Sequence, residues 1–298
     1  MLVCPMNLLV VMMAGMMAGF IGALMGLGGG VVMVPTLTAV LGVDVKEAVA
    51  TSSLCVIATS IAGAARYVKQ GITNIKLALF LNTTTVAGAV TGALLAVIAP
   101  RTLLYLALSA VLAYLSASQV ITGKREEEKI ERGEFAGSEE DKLARLLGLS
   151  DSYYDAASKV EVQYRVRRTP LGLAVSYLAG MASGLLGIGG GVLKVPIMNQ
   201  VMNVPIKASI GTSKFMIGVT ASASATVYFM RGLVNTLLAA PLALGVILGA
   251  TLGAQIMNRI RVKHLKMLFG GVLVYFSYAM LAKFIYLTVG VALPGVRL

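Results

Sequence analysis

Carboxylates are scarce in this chain. Of 298 residues only 13 are Asp or Glu, and eleven of those fall within residues 123–168, leaving Asp44 and Glu47 for all the rest. No acid follows Glu161, so the remainder is poorly equipped to coordinate cations or to relay protons through Asp or Glu. The fifteen Lys and Arg outside 123–168 give it a field that favours anions, and they also suit the basic bias of loops on the inner side of a membrane. Cysteine is nearly missing too: Cys4 and Cys55 fit no metal-ligand spacing and no disulfide framework. The single histidine, His264, falls in a basic turn. There is then no triad, no metal cage and no paired-carboxylate site, so an enzyme is not expected and no cofactor is called for. Aromatics are 6% of residues, too few for the base-stacking surfaces of nucleic-acid binding.

What fills the chain instead is apolar. Hydrophobic residues make up 57% and charged residues 13%, with mean hydropathy +0.85, whereas a soluble domain has roughly 25% charged residues. This composition is that of an integral membrane protein of all-α type, with the lipid bilayer as its partner. The sixteen methionines, four of them (Met12, Met13, Met16 and Met17) clustered near the start, are read as lipid-facing or gap-filling hydrophobes rather than a soft-metal path. The apolar N-terminus has no basic n-region and no small-residue cleavage site, and is expected to be retained structure.

Glycine carries the organisation. Gly26-Leu27-Gly28-Gly29-Gly30-Val31-Val32-Met33-Val34-Pro35 recurs 161 residues later as Gly187-Ile188-Gly189-Gly190-Gly191-Val192-Leu193-Lys194-Val195-Pro196. The same offset pairs Lys46 with Lys207, Thr51-Ser52 with Thr212-Ser213, Tyr67 with Tyr228, Gly71 with Gly232, Asn74 with Asn235, Gly88 with Gly249 and Gly92 with Gly253. One unit is used twice. We expect a first membrane repeat over 1–122, a polar cytoplasmic insert over 123–168 and a second membrane repeat over 169–298.

Each repeat contains an apolar run before its glycines (Leu8 to Met25; Leu171 to Leu186) and a short arm after them (Val31 to Gly42; Val192 to Val204). Three full segments follow: Ala48 to Tyr67, Ile75 to Ala99 and Leu103 to Ile121, then Ala208 to Met230, Leu237 to Met257 and Leu268 to Val291. If each glycine motif tips a hairpin that returns to the face it entered, the repeats are inverted. The Arg66/Lys69/Lys76 turn, the insert, Lys207 and the Arg259 to Lys266 turn then share the inner face of the cell membrane. Four spans per half would instead make the repeats parallel and place the two basic turns on opposite sides. Within the insert, Glu126 to Arg132 and Lys142 to Leu149 look helical, and Val160, Val162, Tyr164 and Val166 alternate like a strand. The insert reads as a connector, with regulation or docking as the alternative.

Two breaks at matching positions of two halves are the sequence-level mark of a transport site. At Gly28, Gly29 and Gly30, and at Gly189, Gly190 and Gly191, backbone freed from the helical ladder offers N–H groups at the start of the following arm. Tight helix packing is the plain alternative. Thr51, Ser52, Thr212 and Ser213 add hydroxyl donors for an oxyanion. Lys214, about two turns inside an apolar helix, is a candidate countercharge, and Lys194 in the second short arm is a weaker one. Asn82-Thr83-Thr84-Thr85 either lines the pathway or holds helices together, and Lys283 is read as snorkelling to an interface. Neither glycine run completes a phosphate loop or a dinucleotide fingerprint.

The doubled glycine segment ending in Val-Pro, followed by Ala50-Thr51-Ser52-Ser53-Leu54 in one copy and Gly211-Thr212-Ser213 in the other, resembles the sulfite exporter TauE/SafE family of membrane permeases. The resemblance covers nearly all of the chain outside 123–168, an insert longer than that family leads one to expect. It implies transport of a small sulfur-containing oxyanion, such as sulfite or an organosulfonate, in either direction. The expected substrate is therefore a small anion moved by alternating access, with a passive anion channel as the rival. The anion, the direction of flux and the coupling ion are left open, as is a homo-oligomer.

Overall fold

The computed structural model describes residues 8–24, 28–131, 135, 140–156, 159–256 and 262–290. Gly26-Leu27 of the first motif, Cys4 and Arg259 to Arg261 of the basic turn lie outside them.

Each expected apolar segment is a helix. In the first half they are α1 (Leu8–Leu24), α2 (Gly30–Pro35), α3 (Val45–Lys69), α4 (Ile75–Ile98) and α5 (Arg101–Glu131). Then come α6 (Lys142–Leu147) and the strands β1 (Asp151–Asp155) and β2 (Val160–Tyr164). The second half has α7 (Thr169–Leu186), α8 (Gly191–Pro196), α9 (Ile206–Met230), α10 (Thr236–Ile256) and α11 (Val262–Val289). Among the described residues four of these, α3, α4, α7 and α10, are long and apolar enough to cross a membrane. Each short arm ends its α-turns at the proline, which has no N–H to donate, and winds five more residues as a π-helix, Thr36–Val40 and Ile197–Val201. Two details differ from the sequence reading. The fifth helix runs unbroken past residue 122 to Glu131, absorbing the separate helix expected at Glu126 to Arg132. The strand at Val160 also has an antiparallel partner, with Tyr153 opposite Val162.

The halves interlock by exchange. α1 packs on α10 and α7 on α4, while α3 meets its repeat counterpart α9 and α5 meets α11. Glycine makes the first two seams close. A Cβ at Gly15 or Gly19 would strike the backbone of Leu242 or Val246, and one at Gly88, Gly92, Gly180 or Gly184 would strike Tyr177, Met181, Thr85 or Ala89. Residue numbers rise together along both seams, so each pair is parallel. Along α3 and α9 they run oppositely, since Gly63 faces Lys214 and Ser60 faces Gly218. Ser109 and Ser277 exchange hydrogen bonds with each other's carbonyls across α5 and α11, at 3.2 and 3.1 Å. The outward faces of α4 and α10 carry Leu79, Leu94, Ile98, Leu244, Leu248 and Leu252, an apolar surface suited to lipid.

The two ends of the helical body are distinct. At one, Arg101 pairs with Asp44 at 2.7 Å, and Asn235 donates to Glu47 at 2.5 Å. At the other, the insert seats against the α3–α4 turn and the loop before α9: Asn74 donates to Leu149 O, and Arg167 N donates to Met202 O. Gln70 reaches Ala254 O at 3.2 Å, so α10 also ends on the insert face.

Candidate functional site

Both glycine motifs turn the chain back on itself. Gly28 and Gly29 have φ of 82° and 79°, and Gly189 and Gly190 have 79° and 71°, a left-handed backbone open to glycine without a Cβ penalty. The reversal is the same in both halves: Gly29 returns beside Ala18 and Gly22 of α1, and Gly190 beside Ala179 and Ser183 of α7. The two motifs meet side by side. Gly30 lies against Gly187 and Ile188, and Gly28 rests between Val56 of α3 and Ile217 of α9, close to the midpoints of those helices. All of Gly28–Gly30 and Gly189–Gly191 are buried. Val32 and Met33 both donate to Gly29 O, and Leu193 and Lys194 both donate to Gly190 O. The amides earlier in each short helix have no preceding turn to supply acceptors.

The hydroxyls fall in two groups. Ser52 Oγ donates to Gly187 O at 3.0 Å, tying the first half's α3 to the second half's tip. Ser213, its counterpart, is buried with a partner of its own. Thr51 and Thr212 stand nearer the two ends. Thr51 Oγ1 accepts from Asn235 N at 3.1 Å and Thr212 Oγ1 from Asn74 N at 3.0 Å, so each repeat caps a helix of the other. Accepting these bonds leaves each hydroxyl proton still able to donate.

Two lysines are buried beside the tips. Lys214 is 0% and Lys194 1% exposed. The Lys214 ammonium donates to Gly22 O at 3.2 Å, and Lys194 to Thr220 Oγ1 at 2.9 Å. Among the described residues no carboxylate pairs with either. Residues 214, 217 and 220 share one face of α9, so the two ammonium groups bracket Ile217, the side chain that lies on Gly28. The repeat counterparts of Lys194 and Lys214 are Met33 and Ser53. Among the described residues the symmetric scaffold thus carries the buried lysines beside its tips in the second half only. A charge buried in an apolar helix costs about 2.5–3.5 kcal/mol or more, and each of these two ammonium groups has three N–H donors against one acceptor among the described residues.

Other polar atoms here are also unmet. Among the described residues, both side-chain polar atoms of Asn82 and the Ser183 hydroxyl beside Gly190 are buried without a partner. Thr84 donates to Leu173 O and so ties α4 to α7, while Thr83 and Thr85 bond back to Phe80 O and Leu81 O of their own helix. Lys283 donates to Thr38 O of the first short arm at 2.5 Å and so braces that arm.

Sequence reasoning passed over several residues that shape the site. Tyr67 donates to Ala23 O at 2.6 Å and Tyr228 to Gly184 O, pinning the necks of the two hairpins. Their shared offset was the available signal. Gly63 lies along the Lys214 stem, where a Cβ would sit 2.7 Å from Cε, and Ser60 donates to Lys214 O. Nothing in the local sequence marks either position.

A model of the family described as Sulfite exporter TauE/SafE matches residues 11–280. The chain is 28% identical to the probable membrane transporter protein YunE of Bacillus subtilis, over 90% of this chain and 95% of that protein. It is 27% identical to the probable membrane transporter protein YdhB of the same organism, over 84% and 89%. A shorter match, 40% identical over 63 residues, is to Sulfite exporter TauE/SafE family protein 5 of Arabidopsis thaliana. No solved structure matches the chain.

Proposed function

Because the chain belongs to the sulfite exporter TauE/SafE family of membrane transporters, we propose that it moves a small sulfur-containing oxyanion by alternating access between two inverted repeats. The observation that carries the reading is the pair of buried, acid-free ammonium groups, Lys194 and Lys214, on either side of the contact between Gly28 and α9. Sulfite or an organosulfonate presents several acceptor oxygens to such donors. The Gly28–Gly30 and Gly189–Gly191 amides and the Ser52 and Ser213 hydroxyls complete the proposed site, with Thr51 and Thr212 toward its two mouths.

Inversion is supported by direction. The counterparts α3 and α9 run antiparallel while α1 runs with α10 and α4 with α7, the pattern of a two-fold axis lying across the helices. A carrier is favoured over an open pore by the direct packing of tip on tip, with Val56 and Ile217 against Gly28.

Lys214→Met tests the site. In proteoliposomes sulfite transport should fall about tenfold or more, since a hydrogen bond to a charged group contributes roughly 1.5–3 kcal/mol. The variant should still fold, because it removes a buried charge. Unchanged transport removes the lysine from the mechanism, and a flux that rises with concentration without saturating would favour a channel. A binding screen of sulfite, thiosulfate, sulfoacetate, taurine and sulfate on purified protein selects the anion.

A further inference from the structure

The two mouths of the helical body are built from matching parts and finished differently. Opposite the insert, Asp44, Lys46, Glu47, Arg101 and the Gly232 to Asn235 turn surround an open cavity of about 460 Å³. The repeat offset carries these positions to Pro205, Lys207 and Ala208 and to the Gly71 to Asn74 turn on the insert face.

There the insert occupies the space. Asp155, at the end of β1, sets its carboxylate 2.6 Å from Lys207 Nζ, with the two side chains 2% and 5% exposed. Asn74 donates to Leu149 O at 2.7 Å and to the Tyr164 hydroxyl at 3.1 Å. Arg167 N donates to Met202 O at 3.2 Å, and Asn203 reaches Arg165 O at 3.4 Å. On the open face the counterparts bond within the two membrane repeats: Lys46 bonds Val97 O of its own repeat at 2.8 Å, and Asn235 bonds Glu47 of the other repeat at 2.5 Å. The acid that meets the repeated lysine's mouth belongs to the repeat on one face and to the insert on the other.

We propose that the insert is a plug, its hairpin seated in the vestibule that lies open on the opposite face, and that its seating holds this mouth of the transport route closed. The gating half of the proposal rests on the permease reading above. A two-stranded hairpin has little stability by itself, so it stays ordered only while seated. The Asp155–Lys207 pair is its pin, because removing one partner takes away an opposite charge buried directly against the other.

Thiol labelling tests the plug without reference to flux. In a chain with Cys4 and Cys55 replaced by alanine, Pro205→Cys lies between two insert contacts and Leu233→Cys in the open cavity. A membrane-impermeant maleimide applied to the face concerned should modify the first about tenfold or more slowly than the second, as a small open fraction requires. Asp155→Asn, or Lys207→Gln if that variant does not fold, should remove most of the difference. Equal rates with the pin intact would overturn the plug. In proteoliposomes the unpinned chain should take up sulfite several-fold faster, and faster labelling with unchanged uptake would overturn the gating role. A labelling contrast with no sulfite flux in either chain would support the plug and sink the substrate assignment instead.

Discussion

Lys214 lies where it does because of a residue that contributes no side chain. Gly63 of α3 leaves a channel for the lysine stem, and its absent Cβ would sit 2.7 Å from Cε. Gly63→Leu should therefore displace the ammonium from Gly22 O while keeping its charge. We expect sulfite transport to fall about tenfold, and the Gly63→Leu, Lys214→Met double variant to be no worse than Lys214→Met alone, since residues acting through one contact are not additive. An additive loss in initial transport rates would separate Gly63 from the lysine.

At the scale of elements, the insert is fastened to α7 through one carboxylate. Asp141 accepts from Ala144 N at 2.7 Å, capping α6, and from Thr169 N and Oγ1 at 2.7 and 2.8 Å. Partial desolvation acts to raise its pKa, but the hydrogen bonds from Thr169 and Ala144 outweigh it and hold the carboxyl below the usual carboxylate range. A depressed pKa stabilises the fold above the unfolded value and loses that contribution as pH falls through the folded one. Pepsin should cut residues 140–168 more readily as pH drops below about 4, relative to a denatured control, since 3.9 is the usual carboxylate pKa. Asp141→Asn should show much less of this pH dependence, and be less stable at neutral pH by about 0.5–2 kcal/mol, the usual cost of a lost cap. An identical pH profile in both chains would remove Asp141 as the fastening.

For the whole molecule the arrangement of charge gives a sidedness. Gln70 meets the end of α10 and Asn74 meets the insert, so the Arg66/Lys69/Lys76 turn, residues 140–168 and the end of α10 share one face. Asp44, Glu47, Lys46, Arg101 and the Gly232 to Asn235 turn share the other. By the positive-inside tendency we propose that the insert face is cytoplasmic. Cysteines placed at Lys69 and at Lys263 should label from the same side in intact cells, and only after permeabilisation. Labelling from opposite sides would rule out the inverted arrangement and, with it, both reentrant hairpins.

The sequence by itself determined the membrane class, the doubled unit, nearly every helix and the two glycine reversals. Each of these follows from local chemistry repeated at a fixed offset: apolar runs long enough to cross, glycines that free the backbone, prolines that interrupt the α-turns of the short arms. Lys214 stood out for the same reason, as a charge in a run of apolar neighbours. What the tertiary structure alone decided is which half touches which. Thr51 and Thr212 are found accepting from the amides of Asn235 and Asn74 in the opposite repeat; Gly63 is found beneath Lys214; and Asp155 is found on Lys207, 52 residues away. Such contacts depend on how two copies of one unit cross in space, and a linear pattern of polarity does not encode that crossing.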